Sequence, residues 1–217
     1  MSFSKEGYGI IAACFTGTLI LFLGWKLGHN INLLYVACIM FLVGLFCFYF
    51  FRDPKREIDT DGQHIVSPGD GKIEEIVEVK ESEYLQSKAT RVALILTIFD
   101  VHISRIPIDG QVEFLRYQRG KFLPVYNRLS VLNNEQTIIG VNTKYGKILF
   151  KQIAGMMARR IVCYIREGHV VKKGEKFGII KFGSRMEIYL PAWASVTVKE
   201  GERVKAGETV IGIVNEE

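Results

Sequence analysis

Two long apolar runs near the start of the chain limit what it can become. Residues 8–25 form an uncharged run of 18 and residues 31–51 one of 21. As helices rising about 1.5 Å per residue they reach roughly 27 and 32 Å, close to the hydrocarbon thickness of a bilayer. Only Lys26-Leu27-Gly28-His29-Asn30 separates them, which is room for a tight turn. The expectation is a transmembrane helical hairpin over 1–51. A secretory signal would be a single run ending at a small-residue cleavage site, and none follows Trp25. Lys5 precedes the first helix and Arg52, Lys55 and Arg56 follow the second, against Lys26 alone in the turn. The positive-inside rule then puts both ends, and the rest of the chain, on the cytoplasmic face of the cell membrane.

Composition agrees with this division. Residues 8–51 contain 33 hydrophobic residues and one charge, which excludes disorder and a collagen-like chain. Cys14, Cys38 and Cys47 lie in the apolar runs and Cys163 stands far away, so neither a zinc site nor a disulfide framework is expected. No metal is expected.

From residue 52 the texture changes. Alternating or β-branched stretches occur at 72–79, 92–99, 111–115, 137–141, 147–153, 177–181, 186–190, 195–198 and 209–214, separated by glycine and Asx residues. This pattern predicts a mainly β fold, a sandwich or barrel, as one domain over 52–217. Helical turns are expected near 81–88 and 154–160. Asn133-Asn134-Glu135 reads as a solvated loop that could face a site.

One repeat stands out. Glu167-Gly168-His169-Val170-Val171-Lys172-Lys173-Gly174-Glu175 returns 33 residues later as Glu200-Gly201-Glu202-Arg203-Val204-Lys205-Ala206-Gly207-Glu208. Its glycines permit turns of positive φ, with a valine pointing inward between them. The texture resembles the barrel-sandwich repeats of lipoyl-type domains, which carry a cofactor on a hairpin lysine. Here the stretch between the repeats offers Gly183-Ser184 instead.

A Gly-Ser pair alone is explained by a turn, and no G-x-S-x-G elbow surrounds it. Its company is more informative. Phe50-Phe51-Arg52-Asp53-Pro54 is followed by Ser67-Pro68-Gly69-Asp70-Gly71 and then by Phe99-Asp100-Val101-His102-Ile103-Ser104-Arg105. Gln152-Ile153-Ala154-Gly155, Ala158-Arg159-Arg160-Ile161 and Phe182-Gly183-Ser184-Arg185 complete the series. In this order, from about residue 45 to the C-terminus, the chain resembles the short single-domain form of the phosphatidylserine decarboxylase family.

The resemblance implies a self-processing carboxy-lyase. Ser184 attacks the Gly183 carbonyl, the ester eliminates, and the new terminus becomes a covalent pyruvoyl group derived from Ser184. The products are a β chain, 1–183, and an α chain, 184–217. The pyruvoyl ketone forms a Schiff base with the serine headgroup, carbon dioxide leaves, and phosphatidylethanolamine is released. His102 is implied as the acid/base of decarboxylation, a role its ordinary pKa suits. His29, His64 and His169 are expected to tolerate substitution. Asp70 is implied in maturation, although an Asx-turn explains it locally. Gly69 stands where alanine is usual, a change expected to be harmless.

The longer enzymes of the family carry a second histidine three residues after the first, where this chain has Arg105. Arginine stays protonated and cannot replace that base. Either His102 serves both steps, or Asp70 acts on Ser184 directly while Arg105 binds an oxyanion or the lipid phosphate.

The formal charge is +5, and Arg159, Arg160, Arg166, Lys172, Lys173 and Lys176 cluster in sequence. No nucleic-acid recognition motif accompanies them, so attraction to an anionic phospholipid substrate and its membrane is the simpler expectation. The lipid tails could be ester- or ether-linked. A different reading, a non-catalytic lipoyl-like membrane adaptor or carrier, explains the anchor and the repeat but not Gly183-Ser184, Asp70 or His102.

Overall fold

The apolar runs form the two helices expected of them, α1 at Tyr8–Gly28 and α2 at Ile31–Phe50. The structure is a computed structural model that describes residues 2–121, 133–155, 160–181 and 184–215. It divides into two compact units, Met1–Lys55 and Arg56–Glu217.

In the first unit the turn is as tight as its sequence requires. His29 takes a left-handed conformation and its N–H bonds Trp25 O at 2.8 Å, while Asn30 caps α2 by accepting from Asn32 N at 3.0 Å. Small residues let the helices approach: a Cβ on Gly44 would lie 3.2 Å from Cys14 Cβ. Strand β1 (Ser2–Phe3) pairs with β2 (Arg52–Asp53), which ties the two outer ends of the hairpin together. Both helices are long and apolar enough to cross a membrane.

The second unit is mainly β. Its strands begin with β3 (His64–Val66), β4 (Gly71–Glu81), β5 (Ser87–Leu96), β6 (Ile103–Arg105) and β7 (Gly110–Gln118). Then come β8 (Gln136–Thr143), β9 (Gly146–Ala154), β10 (Ile161–Cys163), β11 (Val170–Val171) and β12 (Lys176–Ile180). Last are β13 (Ser184–Pro191), β14 (Ala194–Val196), β15 (Arg203–Val204) and β16 (Val210–Val214). An eight-stranded sheet runs β11-β7-β8-β9-β13-β5-β4-β15, flanked by the three-stranded sheets β10-β12-β6 and β14-β16-β3. Every stretch read as a strand from alternation overlaps one of these. One face of β13 sends Met186, Ile188 and Leu190 into the core beside Leu94, Phe150 and Phe177.

The glycine turns of the repeat adopt the expected geometry. Gly168 and Gly201 have φ of 85° and 87°, Gly174 and Gly207 78° and 79°, and Val171 and Val204 are buried between them. The structure also uncovers a second repeat. Pro68-Gly69-Asp70-Gly71-Lys72-Ile73-Glu74 matches Pro107-Ile108-Asp109-Gly110-Gln111-Val112-Glu113, 39 residues on. Each copy binds one glycine turn by the same bonds. Ile73 N donates to Glu202 O and Val112 N to His169 O; Ile76 N donates to Glu200 Oε1 and Leu115 N to Glu167 Oε1. Asp70 Oδ1 accepts from Ala206 N at 2.9 Å as Asp109 Oδ1 accepts from Lys173 N at 2.6 Å. The two halves meet at Ile58, which fills the space that a Cβ on Gly174 or Gly207 would need.

Three local expectations change. Residues 83–85 form a bend rather than helical turns, because the buried Glu81 carboxylate accepts from the N–H groups of Glu83, Tyr84 and Leu85 at 2.8, 2.9 and 2.6 Å. Asn134 and Glu135 are buried rather than solvated, since Asn134 Nδ2 donates to Ala154 O and Glu135 Oε1 accepts from Ile161 N. Lys173, counted among the basic residues expected to attract anionic lipid, is withdrawn from that surface. Its ammonium is enclosed by Asp59, Asp61 O and His64 O. The turns expected within 154–160 lie mostly outside the described residues.

Candidate active site

Ser184 is the first residue of β13, between two hydrogen-bonded neighbours. It stands opposite Leu96 of β5 and opposite Ala154 of β9. Its side chain is fully buried, and Oγ has no hydrogen-bond partner among the described residues. Leaving a hydroxyl buried and unsatisfied costs about 1–3 kcal/mol, so a fold that keeps one there asks for an explanation. Gly183, its expected partner in chemistry, lies outside the described residues, as do Phe182 and Arg159.

The other candidates reach the same end of the sheet along separate strands. Leu96 leads into a turn in which the Thr97 N–H and hydroxyl both donate to Asp100 Oδ2 at 2.7 Å. His102 comes next, buried, with Nδ1 2.9 Å from Asp100 O. A carbonyl can only accept, so Nδ1 carries the proton and the neutral ring has its lone pair on Nε2. His102 O accepts from Ile180 N at 3.3 Å, which ties the histidine to the strand leading towards Ser184.

Asp70 comes from the 67–71 turn, which Ser67 closes by donating from Oγ to Gly69 O at 2.7 Å. Gly71 has φ of 155° and lies so close to β5 that a Cβ would stand 2.5 Å from Ile95 O. This puts Asp70 about two strand spacings, roughly 10 Å, from the Ser184 backbone. The Asp70 carboxylate bonds Ala206 N and forms an ion pair with Arg56 at 2.6 Å. Burial pushes its pKa up, against the Ala206 N–H and the Arg56 charge, which pull it down; Asp100 adds to the upward push. Asp100 itself is held below the usual carboxylate range. Burial acts to raise it, but the Thr97 bonds and Arg203 outweigh that.

Arg105 is buried, and its N–H donates to Pro68 O, joining β6 to the Asp70 turn. The guanidinium donates to Gly174 O at 2.8 Å, where the two glycine turns meet. Gln152 Nε2 donates to Ser104 Oγ at 2.8 Å beneath Met186. Met186 also explains Gly69. A Cβ there would lie 2.6 Å from Met186 Sδ, so the methionine fills the room that an alanine would take.

On the opposite face of β13, Arg185 Nε donates to the buried Glu187 at 2.9 Å, and Tyr189 donates to the same carboxylate at 2.7 Å. Burial and that carboxylate raise the Tyr189 pKa, so the phenol stays a donor. Both faces of the Ser184 strand are therefore fixed. Sequence reasoning counted Arg56 only as a membrane-flanking charge, and gave no role to Ser104 and Gln152 although both stand in the motif series. The signal for Arg56 was its place two residues beyond Pro54, just after the first motif of the series.

Fold and site together define a mainly β domain with lipoyl-like turns, built around a buried serine at the head of a central strand. Family comparison makes this specific. The model of the phosphatidylserine decarboxylase family matches residues 43–212. A phosphatidylserine decarboxylase proenzyme of Carboxydothermus hydrogenoformans is 45% identical over 187 residues, covering 86% of this chain and 87% of the relative. Proenzymes of the same name from a Wolbachia of Brugia malayi and from Wolbachia pipientis wMel are 41% and 40% identical, covering 100% and 99% of this chain and 93% and 92% of theirs. The chain belongs to the phosphatidylserine decarboxylase family, whose members are carboxy-lyases.

Proposed function

We propose that the chain is a self-processing decarboxylase that converts phosphatidylserine to phosphatidylethanolamine at the cytoplasmic face of a membrane. Residues 1–51 would be its membrane hairpin and 52–217 its catalytic domain. The observation that carries the reading is the buried Ser184 hydroxyl, unsatisfied among the described residues, at the head of β13.

In this reading Ser184 Oγ attacks the Gly183 carbonyl carbon. The Oγ–C bond forms, the Gly183 C–N bond breaks, and the serine proton ends on the freed nitrogen. Proximity within one chain removes the entropy cost of a second reactant. β-Elimination then removes the α-proton of residue 184, expels the Gly183 carboxylate and cuts the chain; water adds to the resulting dehydroalanine as its imine and ammonia leaves, giving the pyruvoyl group at residue 184. The residues fit such a group: the position is buried, fixed on both faces and has no competing bond to Oγ among the described residues. When formed, the group supplies an electron sink for the carboxylate's departure.

The chain's own groups do the rest. His102, with its proton fixed on Nδ1, uses Nε2 to move a proton at the reacting carbon. Asp70 receives or relays the Ser184 proton during maturation. The Arg105 guanidinium, anchored by its bond to Gly174 O, offers its charge to the substrate phosphate.

Intact mass of the membrane-purified protein tests the reading. It requires a fragment of residues 184–217 that is blocked to Edman degradation and gains mass with borohydride. A single uncut 24.6 kDa chain that still turns over substrate would overturn it.

A further inference from the structure

We propose that Arg56 is a positioning residue for self-processing, holding the Asp70 carboxylate for the cut at Gly183-Ser184. The inference rests on the maturation role given to Asp70 above.

The molecule contains its own control. Asp70 and Asp109 accept equivalent backbone N–H groups in the two copies of the repeat, so that bond is a property of the duplicated scaffold. The copies differ in what else reaches the carboxylate. Asp109 is exposed and makes no comparable ion pair among the described residues. Asp70 has Arg56 NH2 on Oδ2 at 2.6 Å, and these side chains are 7% (Arg56) and 13% (Asp70) exposed. A second arm, Arg56 NH1, reaches Glu208 at 3.5 Å and fixes the guanidinium plane. Arg56 therefore marks the copy that has chemistry.

The electrostatics give the reason. A carboxylate that takes the Ser184 proton must begin ionised. Burial and Asp100 work against that, and Arg56 and the Ala206 N–H work for it. The other charges nearby are themselves engaged, Asp100 with Arg203 at 2.9 Å and Glu208 with Lys205 at 3.7 Å. During the acyl shift the proton leaves Oγ for the carboxylate and passes on to the Ser184 nitrogen as the C–N bond opens. Arg56 stays charged throughout.

The test follows self-cleavage of the full-length chain, synthesised into liposomes, by gel and intact mass between pH 5 and 8. Arg56→Gln should slow the cut at pH 7 about tenfold or more and move its pH midpoint upward. Arg56→Lys should recover part of the rate, since it keeps the charge but loses the fork. Glu208→Gln should shift the midpoint the other way, by removing a nearby anion and a competitor for Arg56. Arg56→Gln with a normal rate and midpoint, while Asp70→Asn is blocked, would overturn the role of Arg56 alone. A slow Arg56→Gln with an unmoved midpoint and no recovery by lysine would overturn it too, as simple structural damage. Normal cutting by Asp70→Asn would instead remove the assignment on which the inference rests.

Discussion

Asp70 and Asp109 occupy the same place in two copies of one structural unit, and each caps a glycine turn through one carboxylate oxygen. The equivalence separates structural from chemical duty. Asp109→Asn should cost about 1 kcal/mol in stability for a weakened cap, and Asp70→Asn more, because it also takes the short ion pair from the buried Arg56. Only Asp70→Asn should cause uncut precursor to accumulate. Denaturant melts beside a precursor-to-product gel would check both halves, and equal processing defects would refute the distinction.

Ser184→Ala should give a folded, uncut and inactive chain. Because Oγ has no partner among the described residues, its removal should leave the protein at least as stable as the serine precursor. Most nucleophile deletions that break a hydrogen-bond network behave otherwise. Ser184→Cys should still cut, more slowly. Thermal unfolding and intact mass of the three chains provide the comparison.

Decarboxylation should depend on His102 beyond any other histidine. Turnover of phosphatidylserine per cut chain should fall about 10²–10⁴-fold in His102→Ala, the range for loss of a placed acid/base. His29, His64 and His169 variants should stay near wild type. Assaying turnover against the fraction cut keeps maturation from masking the catalytic effect.

Glu81 should make stability depend on pH. Burial acts to raise its pKa, but the N–H groups of Tyr84, Glu83 and Leu85 outweigh it and hold the carboxyl below its ordinary value. A depressed pKa adds stability above the unfolded carboxylate value of about 4.3, and the gain fades as pH falls through the folded value. Glu81→Gln should therefore cost about 1.5–3 kcal/mol at pH 7, as a charged acceptor's bonds suggest. The gap to wild type should close on acidification below about pH 4.5.

Much of this fold was legible because β periodicity is local. Alternation located the long strands, and glycine placement located the turns of Gly168, Gly174, Gly201 and Gly207. What escaped depends on residues distant in sequence. The second repeat shares only Pro, Asp, Gly, an apolar residue and Glu between 68–74 and 107–113, too little to see until both copies bind their turns. Glu81 has helix-compatible neighbours, but one buried carboxylate captures three N–H groups and bends the chain. Asn134 and Glu135 are polar by composition and buried by their partners, Ala154 O and Ile161 N. Arg56 gains its meaning from Asp70 and Glu208, the second of which lies near the other end of the chain.

The placement of β13 sets the fate of the two pieces after the proposed cut. From Ser184 onward this strand pairs with eight residues of β5 on one side and six of β9 on the other. Downstream, β15 is joined to β4 and β16 to β3. A nick ahead of Ser184 would thus divide the covalent chain while leaving its short C-terminal piece woven through the middle of the domain. The pieces would persist as a complementation pair, with no linker and no exchangeable subunit surface. Once drawn apart in denaturant they would have to find each other by collision, and the domain would have lost the intramolecular route by which it first assembled.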